Sequence, residues 1–181
     1  MEFKNSEDRY GMIAITFHWV MALLIISLLA LGLYMVDLPV GLEKIKLYGL
    51  HKEFGILVLM LVILRVSWRL SNIVPFLPAH LPDWQKLAAR VSHFLLYVLM
   101  LAMPMTGWLL SSAAGFPVSF FGLFILPDFL SPNEYLRFLL SETHKWLGFG
   151  FIALIGVHAA AVLQHYVIYR ENILKRILPW K

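Results

Sequence analysis

The stretch Glu142–Tyr166, ETHKWLGFGFIALIGVHAAAVLQHY, sets His144, His158 and His165 in a segment that is otherwise almost wholly apolar. A helix rises about 1.5 Å per residue, so His144 and His158 stand roughly 21 Å apart along its axis. At about 100° per residue, that interval also returns the two rings to within roughly 40° of one face. Two strong nitrogen ligands thus lie in opposite leaflets of a bilayer, aimed to one side. Helix packing needs no such residues, and lipid penalises them when they are unpaired. The rest of the chain must supply their partners.

The composition is that of a membrane protein. Of 181 residues, 60% are hydrophobic and 14% charged, with a mean hydropathy of +0.76; soluble domains carry about 25% charged residues. Cysteine is absent, which excludes disulfides, iron–sulfur centres and thiolate-ligated haem. No internal repeat, phosphate-binding glycine loop or basic cluster interleaved with aromatics is present, so nucleic acid is not an expected partner.

Four spans are expected, in an all-α integral membrane bundle that forms a single domain over residues 1–181. The first, Ile13–Met35, is too long for a signal-peptide core and has no small-residue cleavage site behind it, so it reads as a retained span. Residues 36–50, with Pro39 and Gly41 as breakers, read as a turn or interfacial segment. The second span is His51–Leu70; its uncharged centre, Phe54–Leu64, is short, and Arg65 and Arg69 reach the interface by snorkelling. The proline-rich 71–86 stretch is a loop, and the third span is Leu87–Ser112. Residues 113–141 contain an apolar FPVSFFGLFILPDFL, too short and too broken by proline to cross, which should rest in the interface or cover the bundle. The fourth span is His144–Ile168.

Basic residues orient the spans. Arg65, Arg69, Lys86 and Arg90 flank the 71–86 loop, and Arg170, Lys175, Arg176 and Lys181 lie in the tail. The 36–53 connection offsets three lysines with three acids, and 113–145 holds only Arg137 and Lys145. The positive-inside rule then puts both termini in the cytoplasm.

In that topology His51 and His144 open the second and fourth spans at the outer side. They share a pattern, HKEFG and HKWLG, in which a lysine follows and a glycine stands four residues on. Gly55 and Gly148 remove, one turn along the same face, the side chain that would collide with a flat ring. Two such surfaces form a slot for a porphyrin with a histidine on each side of the iron. Lys52 and Lys145 are placed to meet propionates or to set a positive outer field. In the inner leaflet His18 pairs most economically with His158, beside Gly156 and Ala159–Ala161. His93, which begins an inner-side span at similar depth, and His165, two turns beyond His158 and close to water, stand as rivals, and His80, between prolines in the inner loop, reads as solvated.

Zinc fits less well. One tetrahedral site cannot draw on histidines about 21 Å apart on one helix, and two two-histidine sites would each lack ligands. A haem brings four nitrogens and needs only two more. Hydrolytic chemistry lacks its carboxylates, since Asp83, Asp128, Glu134 and Glu142 fall outside the expected spans.

At this point the chain resembles the bacterial cytochrome b561 family, itself similar to the cytochrome b subunits of nickel–iron hydrogenases and formate dehydrogenases. The matching pieces are FHW at Phe17–Trp19, HKEFG at His51–Gly55, VSHFLLYVLMLAMPMTGW at Val91–Trp108, THKWLGFGF at Thr143–Phe151, GVHAAAVLQHY at Gly156–Tyr166, and the terminal ENILKRILP. The resemblance implies an inner-membrane protein with two b-type haems stacked across the bilayer. His51 and His144 would ligate the periplasmic haem, and His18 and His158 the cytoplasmic one. It implies that His93 and His165 are not ligands, with His93 beside the inner haem or a quinol pocket. With both irons six-coordinate, outer-sphere electron transfer is implied rather than oxygen binding.

Two functions follow from the resemblance. Stand-alone members include a superoxide:ubiquinone oxidoreductase, whose anionic donor would be drawn to Lys52 and Lys145 and whose acceptor would be ubiquinone from the bilayer. Trp108, Ser111 and Ser112 at the outer end and His93 at the inner end are candidate quinone contacts. The dehydrogenase relatives instead serve as membrane anchor and electron conduit for an extrinsic redox subunit, for which residues 113–141 would be the docking surface. Oligomeric state is not readable from the sequence.

Overall fold

The computed structural model of the protein describes residues 2–77, 81–170 and 173–178. His80 and Lys181 lie outside the described residues. Four helices long and apolar enough to cross a membrane account for most of the chain. They are α1 (Met12–Val36), α2 (Leu42–Leu70), α3 (Asp83–Ala113) and α4 (Glu134–Val167). The 114–133 connection contains a two-stranded hairpin, β1 (Ser119–Phe120) and β2 (Phe124–Ile125), and a short 3-10 helix covers Ile173–Arg176.

Three helices start earlier than the apolar spans. At α2, Pro39 and Gly41 do break the chain, but helix resumes at Leu42, nine residues before His51. Lys44 makes the tight return possible: its Nζ donates to the Val36 and Leu38 carbonyls at 2.9 and 2.8 Å, capping the end of α1. Helix α4 starts at Glu134 because Asn133 caps it, its Oδ1 accepting the Leu136 N–H at 3.0 Å. Arg137 and Glu134 pair one turn apart at 2.7 Å. Asp83 opens α3 four residues ahead of Leu87. Asp83, Glu134 and Glu142 therefore sit on helical extensions, and His51 and His144 lie inside their helices rather than opening them.

The packing is sequential. α1 lies on α2, α2 on α3, and α3 on α4. Among the described residues α4 does not pack closely on α1 or α2, so a cleft runs down the bundle between α4 and the first helix pair. The cleft is closed only at mid-depth. There Met21 and Ile25 of α1, Val58, Leu59 and Val62 of α2, Met100 of α3 and Phe151 of α4 form one buried cluster. Elsewhere the helices turn leucine, isoleucine and phenylalanine outward, as a lipid-facing surface requires.

Each end has its own cap. At one end the N-terminal segment, the 71–77 loop and the C-terminal 3-10 helix interlock. Asn5 Nδ2 donates to the Ile73 carbonyl at 2.7 Å, Trp19 Nε1 to that of Ile177 at 2.8 Å, and Arg176 to that of Phe76 at 2.6 Å. Both chain ends thus lie on one side of the bundle. At the other end the 114–133 connection folds over α2 and α3. Val118 and Leu126 bury themselves against Ile56, with Trp108 and Phe120 packed alongside. The hairpin pairs Ser119 with Ile125 and Phe120 with Phe124. Its turn takes Phe121 and Gly122 to φ 49° and 71°, and the strained Phe121 is held by edge contact with Phe54 at 5.2 Å. The expectation of a covering segment thus takes the form of a lid.

Because lipid offers no hydrophobic drive for helix association, stability rests on van der Waals fit at the central cluster. Met21→Ala, at a fully buried position, is expected to cost about 2 kcal/mol and lower the melting temperature in detergent by several degrees. Leu23→Ala, 70% exposed two residues along the same helix, should leave the melt nearly unchanged.

Candidate functional site

The cleft between α4 and the first two helices contains the histidines. At the lid end His51 of α2 faces His144 of α4, with ring centroids 6.2 Å apart and planes at 78°. At the other end His18 of α1 faces His158 of α4 at 6.5 Å and 55°. His93 of α3 is also there, 5.5 Å from His158. His165 is two turns further along α4 and contacts Tyr169, at 5.2 Å. Each imidazole pair therefore bridges α4 and the first helix pair at depths where, among the described residues, those helices do not pack closely.

The lid-end pair is built to hold its rings still. Thr106 Oγ1 donates its single proton to the Met103 carbonyl at 2.9 Å and lies 3.0 Å from His144 Nδ1. The hydroxyl can therefore only accept from Nδ1–H, which leaves the Nε2 lone pair of His144 free. Next to Thr106, Gly107 lets the ring lie against α3: a Cβ there would stand 3.1 Å from His144 Cε1. Gly32 of α1 does the same for His51, where a Cβ would meet Cε1 at 3.4 Å. His51 Nδ1 is buried with no hydrogen-bond partner, an arrangement that costs roughly 1–3 kcal/mol unless another group meets the ring.

The two pattern glycines behave differently from Gly32 and Gly107. A Cβ on Gly55 would meet nothing within 4 Å, and one on Gly148 only Met103 Cε at 3.7 Å. Gly55 instead lines, with His51, His144, Pro104 and Phe151, a cavity of about 60 Å³. Lys52 does not reach into the cleft: its Nζ donates to Ser111 Oγ and to the Phe116 and Pro117 carbonyls at 3.1–3.3 Å, fastening the lid. Lys145 pairs with Glu142 at 2.6 Å on the half-exposed side of α4. Ser111, Ser112 and Trp108 are also committed to the lid, bonding Phe116 O, Phe129 N and Pro127 O respectively.

The other pair is held by a cation. Arg65 Nη2 lies 3.2 Å from His18 Nδ1. Arginine only donates, so Nδ1 accepts and the proton of neutral His18 sits on Nε2. The same guanidinium lies over the Tyr97 ring at 5.6 Å. The sequence pattern singled out none of Thr106, Gly107, Gly32 or Arg65 for the histidine layers. A lone glycine inside an apolar helix was the available signal, since it weakens the helix unless something approaches closely.

With this geometry in hand, comparison with known families is decisive: the profile of prokaryotic cytochrome b561 matches residues 9–180. The chain belongs to the prokaryotic cytochrome b561 family. It is 38% identical to cytochrome b561 homolog 2 of Escherichia coli K12 over 98% of this chain and 95% of the relative. Cytochrome b561 homolog 1 of the same organism is 34% identical over 71% of this chain and 73% of its own. A probable superoxide oxidase, CybB, of Yersinia pestis is 28% identical over 96% and 97% of the two chains.

Membership of the cytochrome b561 family implies b-type haem and a role in electron transfer. The donor set fits that group. Metal–imidazole bonds are about 2 Å long, so one iron held between two imidazoles would set their centroids roughly 6 Å apart. The spacings of 6.2 Å and 6.5 Å match this, whereas the 5.5 Å between His93 and His158 is shorter. The 60 Å³ cavity is smaller than a macrocycle; the unpacked face between α4 and the first helix pair is where the remaining room lies.

Outer-shell hydrogen bonds to a ligating imidazole are typically worth 10–100-fold in affinity. Thr106→Val is therefore expected to weaken haem uptake at the lid-end layer by about tenfold, with Thr106→Ser close to wild type. Titration of haem into apoprotein, followed at the Soret band, measures both.

Proposed function

We propose that this chain is an inner-membrane di-haem b cytochrome that carries electrons across the bilayer from a donor on the lid side, superoxide, to ubiquinone. The observation that carries the reading is the pairing of His51 with His144 and of His18 with His158, at centroid spacings of 6.2 and 6.5 Å. The two layers are set by one helix, about 21 Å apart along α4, with Phe151 buried midway. Bound haem b would supply one-electron redox chemistry at each layer. The residues would do the rest: His51 with His144 and His18 with His158 would hold the two groups, the apolar cluster would exclude water between the layers, and Thr106 fixes the His144 tautomer.

The electron balance is simple. Each superoxide leaves as dioxygen after giving up one electron, and two electrons with two protons convert ubiquinone to ubiquinol. The Yersinia relative named a probable superoxide oxidase supports this donor. Lys52 is the better candidate for attracting an anion: its three bonds are to neutral oxygens, with Asp128 and Glu53 nearby but not paired to it, while Lys145 is directly ion-paired with Glu142. Of the candidate quinone contacts, Trp108, Ser111 and Ser112 are engaged by the lid, which leaves His93 beside His158. The interlocked termini would face the cytoplasm, consistent with the arginines and lysines gathered at that end.

One observation favours a second reading, an anchor and electron conduit for a separate periplasmic dehydrogenase or hydrogenase. The lid hairpin exposes Phe121, Leu123, Phe124 and Ile125 together, a patch that an extrinsic subunit could cover. Copurification of a stoichiometric soluble redox partner would establish that reading over the free-standing oxidase.

A pyridine haemochrome assay is expected to give two haems per chain, falling to one in His51→Ala and in His158→Ala. One haem or none in the wild type, unchanged in the variants, sinks the proposal. For the donor, Lys52→Gln should slow reduction by superoxide about tenfold and flatten its dependence on salt. Lys145→Gln should change neither, as read by stopped-flow absorbance.

A further inference from the structure

We propose that the inner end of the bundle carries a binding site for the phosphate group of an anionic phospholipid. A cavity of about 630 Å³ opens there between α2, α3 and residues 74–77, a size within the roughly 300–1,000 Å³ of small-molecule sites. It is not lined by His18 or His158, but His93, 5.5 Å from His158, forms part of its wall, so it adjoins the histidine layer at that end.

The charge of the cavity is one-sided. Lys86 and Arg90 stand one turn apart on the face of α3, and Arg69 enters from the last turn of α2. Asp83, 3.5 Å from Lys86, pairs with it from a fully exposed position. Arg90 makes no hydrogen bond or ion pair among the described residues. Arg69 makes none either and lies over the Tyr97 ring at 5.5 Å. Two guanidiniums without a resident anion, at the rim of a cavity, call for an anion with several acceptor oxygens, and phosphate is the group arginine matches best.

Depth selects a lipid. The same face of α3 runs from the cations into the bilayer, and Phe94, 66% exposed on the cavity wall, continues it as lipid-facing surface. Phe76, 69% exposed, forms the opposite rim. A phosphodiester seated on the arginines would therefore send its acyl chains along surface that is already apolar, which a free phosphate could not use. Basic pockets between spanning helices on the cytoplasmic side commonly take such headgroups.

The test uses the full-length protein, delipidated in detergent. Native mass spectrometry and thermal melts are run with phosphatidylglycerol, with phosphatidylcholine of the same chains, and with sodium phosphate. Phosphatidylglycerol should bind at one per chain and raise the melting temperature. Arg90→Gln should weaken that binding about tenfold, and Arg90→Lys should restore most of it. Equal binding of phosphatidylcholine, or unchanged binding by Arg90→Gln, overturns the proposal. A shift by sodium phosphate equal to that of the lipid makes this a soluble-anion site and overturns it too. Loss of haem in Arg90→Gln would assign the arginines to the porphyrin carboxylates instead. Haem content unchanged alongside weakened lipid binding is the expected result, and it is independent of the donor and acceptor assigned above.

Discussion

Hydrocarbon gives a polar nitrogen no solvent to fall back on, and that constraint organises the bundle. Four imidazoles lie in the cleft between α4 and the first helix pair, which meet closely only at the mid-depth cluster around Phe151. Direct packing of α4 on α1 and α2 would bury the rings in side chains that cannot bond them, at several kcal/mol per lost partner. The chain avoids this by routing its close contacts the long way round, α1 to α2 to α3 to α4. Helix α3 is thus a splint. It carries α4 at a set distance from the first pair, and its Thr106 and Gly107 adjust the imidazole that faces the gap.

The two layers are not copies of each other. The lid-end layer is neutral and locked, with His144 in one tautomer and both rings seated against glycine. The inner layer is charged and crowded, with Arg65 on His18 and His93 as a third ring. A hydroxyl that can only accept leaves the ligand nitrogen bare, whereas a guanidinium that can only donate leaves it protonated. The same guanidinium already rests over the Tyr97 ring while it contacts His18, so cation, imidazole and aromatic ring form one cluster at that end.

Much of this was legible in the residues. The spacing of His144 and His158, and the repeated HK-x-x-G pattern, contained the pairing because helical periodicity converts sequence distance into depth and face. The span cores followed from uncharged runs. The helix starts did not, because Leu42–Leu50 and Glu134–Thr143 are helical above the apolar zone, where Lys44 and Asn133 supply caps that hydropathy does not register. Lys52 and Lys145 looked equivalent by pattern, and only the folded lid separates one, bound to Ser111 and to carbonyls, from the other, paired with Glu142. Gly32 and Gly107 acquire meaning only from the helix opposite, so no single-helix reading could have assigned them.

The inner cap joins the beginning of the described chain to its end. Trp19 bonds the carbonyl of Ile177, and Arg9 that of Lys175. Contacts so far apart in sequence form last, since every intervening segment must be made and inserted before they can close. During biogenesis this end of the bundle consequently stays untied until residues 173–177 have been synthesised, and the chain itself times the moment at which its first and last segments lock together.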